Sequence, residues 1–141
     1  MNSLDLALNN AKGHTLNPGT ILGDWFYHRT NSERLMTRAL KLEGVIFSAL
    51  PVFDMGDHRR CEVDHIILKN GMMLLQELDG PSHLGELSVD AEKRLAKFKD
   101  EGFFVKRYEE PEIVDLDWCT KRARESIAFL DKMLAIYGRR P

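Results

Sequence analysis

The sequence predicts an α/β domain built on a mixed sheet with helices on its faces, and three observations carry that prediction. Asn70-Gly71 separates two apolar runs. It is the strongest short-range signal for an antiparallel hairpin, because a two-residue type I′ turn needs positive φ at both central positions. A helical stretch from Ser88 to Gly102 is followed by a strand from Phe103 to Tyr108. Strand, crossover helix and strand in that order imply parallel pairing with a right-handed connection. Two further helical stripes, at residues 31–43 and 118–137, supply the remaining layers.

In chain order, residues 1–20 hold one short apolar patch, Leu4 to Leu8, then Asn, Gly and Pro punctuation, and are expected to be a short helix or arm and an irregular loop. Trp25, Phe26 and Tyr27 precede a helix start at Asn31-Ser32 and are expected to pack as a staple against the core. The helix runs to Glu43 with Leu35, Met36, Ala39 and Leu40 as its apolar stripe and Gly44 as its stop. Val45 to Leu50 is a β-branched and aromatic run ended by Pro51, hence a strand, and residues 54–61 read as a polar loop leading into the hairpin. Beyond the hairpin, Ser88 caps a helix with Leu95 and Phe98 inward, closed by Gly102. After the strand at 103–108, Asp117 caps a long C-terminal helix, 118–137, with Ala123, Ile127, Leu130, Leu134 and Ile136 along one stripe and Gly138 at its end.

Residues 1–141 suit a single domain, since 43% hydrophobic content at this length supports a core that needs no staples. Cys61 and Cys119 lack metal-ligand spacing. With no signal peptide they read as reduced thiols of a cytoplasmic protein. No apolar stretch approaches ~18 residues, which excludes a membrane-spanning helix. A net charge of −2 argues against tight nonspecific binding of nucleic acid, yet the bases fall in local groups. These are Arg59-Arg60, Lys93-Arg94 with Lys97 and Lys99, Lys106-Arg107, Lys121-Arg122 with Arg124, and Arg139-Arg140. Most such runs are solvated faces, so only the groups adjoining the acids invite a functional reading.

Those acids lie on the hairpin. With Lys69 facing Met72, the register sets Asp64 opposite Glu77 and Glu62 opposite Asp79, and period-two alternation puts all four carboxylates on one face. Opposed like charges ~5 Å apart repel by roughly 3 kcal/mol at an effective dielectric near 20. A hard divalent cation, Mg²⁺ or Mn²⁺, offsets that repulsion and suits oxygen ligands. Raised carboxyl pKa values, or a solvated acidic face, are the alternatives. The apolar run Ile66, Ile67, Leu68 and Met73, Leu74, Leu75 points to burial on both faces.

An acid ending one strand, then Glu77-Leu-Asp79-Gly80-x-x-His83 ending the next, resembles the PD-(D/E)XK nuclease superfamily, of restriction-endonuclease-like fold. The similarity is greatest to the branch that includes very-short-patch-repair-like endonucleases. It extends upstream to Glu33 at a helix start and downstream through Asp90-x-x-x-Arg94 on a helix, Gly102, and Val105-Lys106-Arg107-Tyr108 on a strand, covering residues 31 to 114. The resemblance implies a Mg²⁺-dependent endonuclease acting on DNA. Asp64 and Glu77, with the backbone carbonyl of Leu78, would hold the metal, and Asp79 or Glu33 would hold a second ion or order the water.

The superfamily usually has lysine two residues after the second acid, where this chain has Asp79. His83, or Lys93 or Lys97 from the next helix, is the candidate to take over that role, and His83 is equally a surface histidine of the Pro81-Ser82 turn. Glu33 gains from the helix dipole whatever else it does. Arg59, Arg60, Arg94 and Lys97 are the expected phosphate contacts, with an Asp90 ion pair as the other role for Arg94. Cutting both strands needs two active sites, which makes a homodimer through the C-terminal helix an expectation. A catalytically silent nucleic-acid-binding or structural relative, and an RNase using the same acids, are the other functions compatible with these residues.

Overall fold

A computed structural model describes residues 21–56, 59–80 and 88–138. The N-terminal arm at 1–20, Asp57-His58, the Pro81-Ser82 turn with His83, Arg139-Arg140, and the side chains of Ser88 and Asp90 lie outside the described residues. The elements are β1 (Ile21–Gly23), β2 (Phe26–His28), α1 (Asn31–Glu43), β3 (Ile46–Ala49), β4 (Val52–Asp54), β5 (Arg60–Glu62), β6 (His65–Lys69), β7 (Met72–Asp79), α2 (Ser88–Asp100), β8 (Phe104–Glu109) and α3 (Leu116–Tyr137).

Asn70 (φ 58°) and Gly71 (φ 73°) both adopt the left-handed conformation that the turn demands. The β6–β7 ladder then runs from Lys69 opposite Met72 to His65 opposite Gln76, the predicted register. The turn is tied to α3, since the Asn70 side chain donates to Asp131 at 2.9 Å and Lys69 Nζ lies 2.8 Å from the same carboxylate. β3 adds antiparallel to β6, and β8 adds parallel to β7 through the α2 crossover, giving a mixed four-stranded sheet ordered β3-β6-β7-β8. Among the described residues the chain is therefore α/β, with a mixed four-stranded sheet and three helices.

Period two along β7 sends Leu74, Gln76 and Leu78 to one face and Leu75, Glu77 and Asp79 to the other. On the first face, Met36 and Leu40 of α1 and Ala123 and Leu130 of α3 pack with Ile67 and Leu74. On the second, Leu95 and Phe98 of α2 join Cys61, Val63 and Leu75. Each fully buried leucine contributes roughly 2 kcal/mol. Burial on both faces is realised along Leu74 to Glu77, while Leu68 and Met73 are exposed near the turn.

Several boundaries differ from expectation. Helix α1 is capped by Thr30 rather than Asn31-Ser32, because Thr30-x-x-Glu33 forms a reciprocal capping box: the Thr30 hydroxyl accepts from the Glu33 N–H at 3.2 Å while the Glu33 carboxylate accepts from the Thr30 N–H. Asp115, not Asp117, caps α3, accepting from the Trp118 N–H. Ile136 is exposed instead of completing the stripe. Of the aromatics, Tyr27 is buried and Phe26 packs on Phe47, but Trp25 is exposed. Residues 54–61 are not simply a loop: β4 and β5 pair antiparallel, with Val52 opposite Glu62. Both cysteines are free and buried. Among the described residues no helix is long and apolar enough to cross a membrane.

A buried polar chain joins three elements under the sheet. The Thr37 hydroxyl of α1 bridges His28 Nε2 of β2 and His65 Nε2 of β6, each at 2.8 Å, and all three residues are fully buried. A hydroxyl donates once, so one ring nitrogen accepts and the other donates to it. Burial, reinforced by the neighbouring His28, pushes the His65 imidazole down to about 3. An unfolded histidine takes up its proton near pH 6.5, so the stability this group contributes is complete above that pH. It declines as pH falls toward 3, by at most about 1.4 kcal/mol per pH unit. In a proton NMR titration the His65 ring resonances should stay fixed from about pH 7 to about pH 5, and a midpoint near the free value would contradict the neutral buried ring.

Candidate metal and phosphate site

The ladder stops at His65, and Asp64 lies at the bend just before it. Leu50 (φ 47°) and Pro51 turn the neighbouring strand at the same level. The Leu50 N–H donates to the Asp64 carbonyl and the Val63 N–H to the Pro51 carbonyl, steering residues 60–62 onto β4 and off β7. Glu62 therefore never comes opposite Asp79, and the predicted face of four carboxylates is corrected to a pair.

That pair is Asp64 and Glu77, joined by reciprocal bonds. The Asp64 N–H donates to Glu77 Oε2 at 3.0 Å, and the Leu78 N–H donates to Asp64 Oδ2 at 2.7 Å. Leu78 thus enters the site through its amide. The two acids are 5% and 2% exposed, at the end of a sheet covered on both sides. Glu33, 4% exposed, joins them from the first turn of α1, where its carboxylate also accepts the Arg29 N–H at 2.9 Å. Burial, then the charges of Glu77 and Glu33, raise the Asp64 carboxyl well above its ordinary range, opposed by the Leu78 amide.

The remaining predicted acids are held elsewhere. Glu62 forms a two-point bridge with Arg29, Oε1 to Nε at 2.6 Å and Oε2 to Nη2 at 2.7 Å. Asp79 shares the Glu77 face but contacts Arg107 Nε at 2.9 Å, a charge contact without the alignment of a hydrogen bond. Among the described residues no group of three or more His, Cys, Asp and Glu side chains is arranged to hold a metal ion. The donor set that fits a divalent ion is the Asp64–Glu77 pair. Two carboxylates suffice for Mg²⁺, which usually completes its shell with water and substrate phosphate.

Beside the acids lies a groove of about 510 Å³ lined by Met55, Arg59, Arg60, Cys61, Lys93, Arg94 and Lys97. All four predicted phosphate contacts line it, together with Lys93, and among the described residues its lining holds no carboxylate. β5 supplies one wall and successive turns of α2 the other. Arg94 links groove to acids, its Nη2 lying 2.5 Å from Glu77 Oε1. That partner is a strand acid brought close by the fold, 17 positions away; the Asp90 side chain, the partner that helical spacing offers, lies outside the described residues.

Sequence reasoning missed Arg29. Its guanidinium is held charged by the hydrogen bond to Glu62, against burial, with Glu33 and Asp64 adding to the effect. Its one signal in the sequence is its place directly before the Thr30-x-x-Glu33 box. The pairing to Glu62 spans 33 positions and has no local signature.

With its pKa raised, Asp64 adds stability that is fully present below its unfolded pKa, near 3.9, and lost as pH rises through the folded value. A carbon-detected NMR titration should therefore give Asp64 a midpoint above the usual carboxylate range. Glu77→Gln should move it down, because one like charge is gone and Arg94 stays. An ordinary midpoint in the unaltered chain would refute the charge crowding. No family model, curated protein or solved structure matches this chain.

Proposed function

We propose that the chain is a divalent-metal-dependent DNA endonuclease of the PD-(D/E)XK kind, hydrolysing phosphodiester bonds. One observation carries the reading: two mutually bonded, buried acids at the end of the β6–β7 ladder lie beside a groove whose described lining holds five bases and no acids. The placement of the other motif residues supports it. Glu33 opens α1, Arg94 lies on α2, Gly102 ends the crossover, and Val105 to Tyr108 lie on β8.

Asp64 and Glu77 would hold Mg²⁺ or Mn²⁺. When bound there, the ion supplies Lewis acidity toward a phosphate oxygen and makes water acidic enough to attack phosphorus near neutral pH. The chain's own residues do the rest. Arg59, Arg60, Lys93 and Lys97 bind the backbone on either side of the reacting phosphate as a cationic track. Burial of the acids keeps their charge from being screened by bulk water. Glu33, fixed through the capping box, adds negative charge that favours a cation at the pair, and Asp79, at the rim, is the nearer candidate to order the attacking water. Cleavage of both strands would call for two copies of the site, hence a homodimer.

A catalytically silent nucleic-acid-binding relative is the second reading, favoured by the residue at position 79. Where the superfamily usually has lysine, this chain has an acid already engaged with Arg107. Digestion of supercoiled plasmid with and without Mg²⁺ decides between them. Nicked or linear product should appear only with Mg²⁺, and Asp64→Asn or Glu77→Gln should lower the rate by about 100-fold or more while circular dichroism stays that of the folded chain. Binding without cleavage would support the silent relative, and parallel assays on RNA and branched DNA identify the substrate.

A further inference from the structure

We propose that Arg94 is a built-in counter-ion that competes with the divalent metal for Glu77 and turns into the phosphate groove when the metal binds. This rests on the metal-site reading above and assigns Arg94 two positions, one for each state of the site.

The contacts of Glu77 lead to that assignment. One of its oxygens is fixed by the Asp64 N–H, and the other faces Arg94 Nη2 at 2.5 Å. A carboxylate this buried needs a positive partner, and Arg94 supplies one beside a pair of acids and a nearby third. The oxygen that Arg94 occupies is the one a metal would take. A divalent ion at the pair brings twice the charge of a guanidinium, weakens the attraction of Glu77 for it, and repels it at short range.

Arg94 also has somewhere to go. Its side chain is 24% exposed and already lines the groove with Arg59, Arg60, Lys93 and Lys97. Its Nη1 touches the Cys61 thiol, which itself lines the groove, at 3.8 Å. Turned outward, it would meet a phosphate oxygen, for which a guanidinium is well shaped. Arg29 makes the contrast, gripping Glu62 at two points away from the acid pair. It has no reason to move when a metal arrives.

Competition reverses the sign of an ordinary prediction. If Arg94 merely braced the site, removing it would leave metal binding unchanged or weaker. As a competitor, its removal tightens the metal. Calorimetric titration of Mn²⁺ without DNA should show Arg94→Gln, which keeps a donor to Glu77 but no charge, binding about tenfold tighter or more than the unaltered chain. That is the scale on which one neighbouring unit charge shifts proton binding to a carboxylate. Arg94→Lys, which keeps the charge, should stay near the unaltered value. Equal or weaker binding in Arg94→Gln overturns the competition and leaves the metal site standing. No Mn²⁺ binding in any of the three removes the metal-site reading, and this one with it. Should Arg94→Gln not fold, the unaltered chain decides by ¹⁵N NMR: the Arg94 Nη2–H signals, which report the bond to Glu77, should pass from slow to fast solvent exchange on saturation with Mg²⁺, and signals that keep their slow exchange overturn the proposal.

Discussion

Burying two acids side by side is the constraint on which the rest of this structure depends. A carboxylate taken out of water must be hydrogen-bonded and paired, or it stays protonated. Glu77 meets that demand through the Asp64 N–H and the Arg94 guanidinium, while Asp64 accepts the Leu78 N–H and its carboxyl still stands well above the ordinary range. The arrangement works only if β6 and β7 hold one register, because a slip of one residue would send Glu77 to the opposite face. The Asn70-Gly71 turn, anchored on Asp131 of α3, secures that register from the far end of the hairpin.

The same two acids explain the distribution of positive charge. Arg94 reaches from α2 to Glu77, and Arg29 reaches from the end of β2 to Glu62 while its field extends to Glu33 and Asp64. Both come from elements that pack over the sheet end. The His28–Thr37–His65 chain links the same elements beneath: His28 adjoins Arg29, Thr37 lies one helical turn beyond Glu33, and His65 adjoins Asp64. A fully buried hydrogen-bonded link of this kind resists shear between β2, α1 and β6, and so holds the charged groups that follow or precede it in place.

Layering also separates the chemistry from the bulk of the core. The face covered by α1 and α3 holds the larger apolar cluster, with two buried polar links in it: the histidine chain, and one in which Tyr108 and Gln76 meet through the Ser126 hydroxyl at 2.8 and 2.6 Å. The face covered by α2 and the β4–β5 hairpin carries Glu77, Asp79 and the cationic groove. An open, charged groove and a dense core are compatible because they occupy opposite sides of one strand.

Local chemistry in the sequence by itself determined the hairpin, its register, the α1 stop at Gly44, the parallel crossover and the nearness of Asp64 to Glu77. Each follows from a turn residue, a period or a cap that acts within a few positions. The Thr30-x-x-Glu33 box is equally local, a reciprocal cap set within four residues. Tertiary structure alone decided that Glu62 leaves the acidic face, that Asp79 is taken by Arg107, and that Arg29 and Arg94 stand guard over the acids. The reason is range. A bend at Leu50-Pro51 and Asp64 diverts β5 onto β4, and salt bridges across 33 or 17 positions answer to where buried charge must be neutralised, which no local pattern records.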